Sequence, residues 1–260
     1  MKTGVNAGER LLWSAGSGVV TAAILGLWAL CTSRHWVSPV FLPAPLEVWT
    51  TLREGMLDGD LGKLAAGTVE RMFLGWLVAS VLGIAAGAVL SMSAACRRWL
   101  QPSLEFMRPL PASAIVPLAI GFLGLSPSMV LVVIAFGAVW PVLLSTMHGF
   151  QSIEPRLREV AGVLRLSRTA FIFKIGLPNA LPDALAGMRL SLTISLILAV
   201  VGEMLASQDG LGTAILLAAR SFRASDLFAG VALLSLIGFV SNFLLLTVQH
   251  FALPWKRATH

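Results

Sequence analysis

Glu203 is the side chain whose setting most suggests chemistry, because it is the only carboxylate inside the apolar part of its segment and follows a charge-free run, 190–202, that begins after Arg189. A carboxylate isolated in hydrocarbon costs several kcal/mol and must face protein or water, and such residues mark ion or solute pathways. Arg189 lies fourteen residues earlier, about 21 Å along a helix, and cannot reach it within one chain. Two readings stand. Glu203 is hydrogen-bonded to the turn Gly210-Leu-Gly212, or it lines or gates an outer cavity.

Other chemistry finds no support. Gly62-Lys63 is followed by Leu64 and lacks the preceding glycine, so there is no phosphate-cradling loop. His35, His148, His250 and His260 are scattered without ligand spacing, and no metal site is expected. A nucleophile paired with a base is also missing, so no catalytic residues are assigned and no cofactor is expected on this chain. Cys31 and Cys96 fall near opposite ends of successive apolar segments, too far apart for a disulfide.

These residues are carried by apolar segments. An apolar share of 57% against 12% charged describes an integral membrane protein, since about 20 apolar residues cross about 30 Å of hydrocarbon. The net charge of +6 is spread over short loops, which argues against nucleic acid as a partner. The expected fold is all-α with six transmembrane helices. Residues 1–10 form the N-terminus, 11–33 the first span and 34–63 an external loop; 64–252 form a five-helix core, and 253–260 the C-terminus. Span two, from about Met72 to Ala95, carries Gly75, Ala79, Gly83, Gly87 and Ser91 four apart, a small-residue ridge for close helix packing. Span three contains Met107, Arg108, Pro109, Pro111 and Pro117. Each proline removes a donor, so this helix is kinked or unwound and is a candidate lining of a path.

Between spans four and five lies a charged island, residues 153–182, overlapping the loop 150–180. Leu157, Val160, Ala161 and Leu164 fall at i, i+3, i+4 and i+7, with Arg156, Arg158, Glu159 and Arg165 outside that stripe. Ser167 can cap a second short helix, which Gly176 and Pro178 are expected to stop. The apolar stripe docks a partner or packs on the chain's own spans. With the N-terminus inside, eleven Lys and Arg fall on the side of the island and five on the other, so island and both termini are expected in the cytoplasm.

Glu159-Val-Ala161, followed at the expected spacing by Ile175-Gly-Leu-Pro178, resembles the E-A-A-x-x-x-G-x9-I-x-L-P signature of permease subunits of binding-protein-dependent ABC importers. Phe41-Leu-Pro-Ala-Pro45, Arg108-Pro-Leu-Pro111 with Pro117, Gly202-Glu-Met204, Gly210-Leu-Gly212 and Leu253-Pro-Trp255 resemble the nitrate/sulfonate/taurine branch. The resemblance implies a type I importer permease fold in the bacterial inner membrane. It also implies a second permease subunit, as a homodimer, two ATPase subunits carrying ATP and Mg, and an extracytoplasmic solute-binding protein. By the same resemblance Leu157, Glu159, Val160, Ala161, Leu164, Arg165, Ile175, Leu177 and Pro178 would belong to an ATPase-coupling loop. Met107, Arg108, Pro111, Pro117 and Glu203 are the candidates for the translocation path or its gate. Arg165 stands where the signature has glycine, at a left-handed turn that costs any other residue roughly 1 kcal/mol or more. The competing function is an ion-coupled secondary transporter using Glu203, for which no inverted repeat is found.

Overall fold

The computed structural model describes residues 7–253, whose regular elements are all helical. These residues form two compact units. The first takes in residues up to 62 together with 215–233. Here α1 (Ala7–Ser33) meets α2 (Pro45–Leu57) through the motif at Phe41–Pro45. Trp28 of α1 donates its indole N–H to the Pro43 carbonyl at 3.0 Å, and its ring lies 5.9 Å from that of Phe228. Pro45 opens α2, where a missing N–H leaves no helical bond unmade.

The second unit, residues 63–214 with 234–253, contains most of α3 (Leu61–Met92) and all of α4 (Ala94–Met107), α5 (Ala112–Leu123) and α6 (Pro127–Gln151). It continues through α7 (Pro155–Val163), α8 (Arg168–Phe171), a π turn at Ile172–Gly176 and α9 (Leu177–Ala206). The start of α10 (Leu211–Arg220) and most of α11 (Ala224–Ala252) complete it. Its core joins Met72 of α3, Val116 of α5, Met129, Val133 and Ile134 of α6, and Leu192 and Ala199 of α9. The glycine ridge of α3 permits this packing: a Cβ at Gly83 would sit 2.7 Å from Val142 Cβ, and one at Gly75 would collide with Ile134.

Among the described residues five helices are long and apolar enough to span a membrane, and six if α4 and α5 together form one bent span. Those two helices meet at 97°. The break falls at residues 108–111, where Pro109 and Pro111 cannot donate, whereas Pro117 is accommodated inside α5.

Two boundaries differ from expectation. The second span starts at Leu61, inside the stretch assigned to a loop and eleven residues before Met72. Thr68 and Arg71 therefore lie on the helix, where a buried carboxylate takes up their polarity. Gly176 and Pro178 do not stop the helix begun at Ser167. The π turn shifts the bonding so that the Leu177 N–H donates to the Ile172 carbonyl, and Pro178 falls in the first turn of α9, where its missing donor is tolerated. One continuous apolar helical run extends over Arg168–Ala206.

Candidate functional site

The loop between α6 and α9 rests on a small apolar base. Phe150 and Ile153 at the end of α6 pack with Ala88 and Ala180, and with the partly buried Phe171, Ile172, Ile175 and Leu177. Polar bonds brace it from the sides: Arg158 donates to the Phe150 carbonyl at 3.0 Å and Asn179 to the Gly149 carbonyl at 2.9 Å. Ser167 caps α8 as expected, its hydroxyl accepting from the Ala170 N–H at 3.2 Å.

Seated on that base, α7 divides the expected stripe. Ala161 turns inward at 6% exposure, lining a cavity of about 360 Å³ with Phe150, Ile153 and Arg158. Leu157, Val160 and Leu164 face out, and Val163, which the stripe left out, is the most exposed of them at 84%. The outward face is therefore Leu157, Val160, Val163 and Leu164, and Ala161 belongs to the chain's own packing. The spacing of Val163, three residues after Val160, already carried that signal. Glu159 and Pro178 are exposed, and Ile175 and Leu177 half-buried.

Arg165 adopts the conformation that its position demands. Its φ is 48°, the Leu166 N–H donates to Ala161 O and the Arg165 N–H to Gly162 O, each at 3.0 Å. This is a Schellman end to α7 with arginine at the position usually held by glycine. Gly162 lies within α7 and takes no part in the reversal beyond its carbonyl. Arg165→Gly is expected to stabilise the turn by about 1 kcal/mol and to leave ATPase co-purification undiminished. A clear loss of ATPase from the purified complex would instead show the guanidinium to be a contact.

Glu203 is fully buried and paired. Its Oε1 accepts from Arg71 Nη2 at 2.7 Å and from Nε at 3.0 Å, and its Oε2 accepts from Thr68 Oγ1 at 3.0 Å and the Gly212 N–H at 2.9 Å. Arg71 also donates to the Asp209 carbonyl, and Thr68 accepts from the Leu211 N–H at 2.9 Å. The turn is built around this carboxylate: a Cβ at Gly210 would overlap Glu203 Cδ, and one at Gly212 would strike the Val200 carbonyl. The hydrogen bond to the Gly210-Leu-Gly212 turn is one of the two readings that the sequence leaves open; Arg71 is not among the residues that it singles out. Arg189 pairs elsewhere, donating to Gln249 of α11, which donates in turn to the Leu185 carbonyl at 2.6 Å.

None of the remaining path candidates is a hydrogen-bond partner of this pair. Met107, Arg108 and Pro111 flank the α4–α5 break, all exposed, and Pro117 is exposed on α5. Arg108 lines a cleft between α4 and α6 with Arg97, Gln101 and Trp140. Among the described residues no cluster of three or more His, Cys, Asp or Glu could hold a metal ion.

Known proteins share this sequence and fold. Residues 79–257 match the model of the binding-protein-dependent transport system inner membrane component. The chain is 31% identical to an aliphatic sulfonates transport permease protein, SsuC, of Bacillus subtilis, over 96% of this chain and 90% of that one. It is 28% identical to the taurine transport system permease protein TauC of Escherichia coli, over 90% and 87% of the two chains. Identity to the nitrate import permease protein NrtB of Leptolyngbya laminosa is 27%, over 93% and 88%. The fold is similar to that of the MetNI methionine ABC transporter in an inward-facing form, with a TM-score of 0.66 at 16% identity, covering 73% of this chain and 94% of that one. The chain belongs to the family of binding-protein-dependent transport system inner membrane components, within its nitrate, sulfonate and taurine permease branch.

Proposed function

We propose that this chain is the permease subunit of an ATP-driven importer that carries a small organic or inorganic anion of the sulfonate, taurine or nitrate kind. A solute-binding protein delivers the anion from outside, and two ATPase subunits, holding ATP and Mg, act through the loop 150–180. The observation that carries this reading is the outward face of α7. Four apolar side chains, Leu157, Val160, Val163 and Leu164, are exposed on a helix that Arg158 and the base at Phe150 and Ile153 hold in place. A rigid apolar face of this kind fits a groove on a partner, and motion of that partner reaches α6 and α9 through the braced loop. The excess of Lys and Arg on the same side supports a cytoplasmic position for the loop and both termini. A homodimer supplies the second half of the path.

Ion-coupled transport fits less well, because Glu203, the carboxylate that it needs, is fully buried and neutralised by Arg71. The deciding experiment reconstitutes the chain with its ATPase and binding protein in vesicles. Uptake of labelled taurine, ethanesulfonate or nitrate that requires ATP and the binding protein is expected. Uptake driven by a proton or sodium gradient without ATP would overturn the reading.

A further inference from the structure

We propose that the cleft between α4 and α6 is a subsite for an oxyanion bearing a short apolar substituent, with Arg97, Gln101, Arg108 and the indole N–H of Trp140 as its donors. This rests on the proposed function only for the source of the anion. Arg97 and Gln101 are one helical turn apart and Arg108 lies eleven residues beyond Arg97, three turns on, so the three share one face of α4. That face is turned to α6, and the cleft has a cavity of about 80 Å³. A single water needs about 10–15 Å³, so there is room for a small polyatomic anion.

The groups present want acceptors. Trp140 Nε1 is buried and has no hydrogen-bond partner, and an unmet buried donor calls for a ligand or a water. Among the described residues neither the Arg97 nor the Arg108 side chain makes a hydrogen bond or ion pair. The one carboxylate in the cleft, Glu105, accepts from Gln101 Nε2 at 2.7 Å and leaves the site with a net positive charge. A guanidinium's planar N–H fork suits a sulfonate, nitrate or phosphate group, and the two arginines, about 16 Å apart along the helix, offer it from opposite ends of the cleft. The wall opposite is apolar, formed by Leu143, Leu144 and Met147 of α6, and accepts a short alkyl group. The cleft adjoins the α4–α5 break, so the donors carried on α4 move relative to α6 if that bend changes.

The test is direct binding of labelled butanesulfonate to the purified permease–ATPase complex in detergent, without the binding protein, with phosphatidylglycerol retention measured on the same samples. Saturable binding is expected, weakened at least tenfold in the Arg97→Gln/Arg108→Gln double variant and several-fold in Trp140→Phe. Arg98→Gln, whose side chain does not line the cleft, is expected to bind as wild type. If the double variant does not assemble, Trp140→Phe, which removes only one donor, carries the test. Retained phosphatidylglycerol that Trp140→Phe and the arginine variants lose, with no butanesulfonate bound, assigns the same anion chemistry to a lipid headgroup. Butanesulfonate binding equal in wild type and variants, or no binding of either ligand, overturns the subsite. ATP-driven anion uptake with unchanged KM in the double variant would overturn it while leaving the importer reading intact. Donor-dependent binding without ATP-driven uptake would do the reverse.

Discussion

Glu203→Ala is expected to lower the thermal stability of the purified permease sharply, because it strands Arg71 in a site only 15% exposed. Removing one partner of a buried ion pair typically costs about 3–5 kcal/mol, much more than the pair itself contributes, since the remaining charge is left without compensation. The loss here falls toward the lower end, as Arg71 keeps the Asp209 carbonyl and some access to water. The Gly212 and Thr68 donors also lose their acceptor, loosening the turn between α9 and α10. Arg71→Ala/Glu203→Ala should recover part of the stability, a coupling that a double-mutant cycle measures as a positive interaction energy. Glu203→Gln keeps an acceptor for the turn but not the charge for Arg71, and should fall between. Melting in detergent and yield after size exclusion are the readouts. An unchanged melting temperature in Glu203→Ala would show that the Arg71–Glu203 pair does not hold the fold together here. Full yield and melting in Glu203→Gln with slow uptake would restore Glu203 as a gate.

Val163→Asp is expected to release the ATPase from the complex, lowering its co-purification at least tenfold while membrane insertion is unchanged. Val163 is 84% exposed on the outward face of α7, so a carboxylate there stays solvated in the free permease. It is desolvated without a partner only once a groove closes over it, and an unpaired buried charge costs several kcal/mol. Leu164→Asp, on the same face at 64% exposure, should act likewise. Ala161→Asp serves as the contrast: it drives a carboxylate into the chain's own packing at Phe150 and Ile153 and should reduce folded permease with or without ATPase. Full ATPase recovery with both outward variants would place the dock elsewhere.

Much of the fold was legible because membrane spans are written in long local runs. Charge-free stretches, prolines 109 and 111 and the four-residue glycine ridge each report a property of one helix, so α6, the broken pair α4 and α5, and the close face of α3 follow without knowledge of the neighbours. The turn at Arg165 was legible only in part: the family position marks a left-handed turn, but that arginine keeps it, at a φ of 48°, is seen in the structure alone.

What the sequence by itself determined is therefore the helical membrane class, the family, the broken span and the amphipathic helix of the loop; it left two readings of Glu203 open, and the structure decided for the bond to the turn. Tertiary structure alone decided which side of each element is taken. It set Arg71, 132 positions away in sequence, against Glu203, a pairing across helices that no local pattern encodes. It turned Ala161 inward and Val163 outward, because the base at Phe150 and Ile153 fixes the rotation of α7, and a periodic stripe leaves that rotation open by one residue. It ran α8 into α9 through a π turn, since continuing the apolar run satisfies the backbone better than the stop that Gly176 and Pro178 suggest locally. It also brought Arg97, which reads as a loop residue, and Arg108, which reads as part of span three, to a common cleft with Trp140.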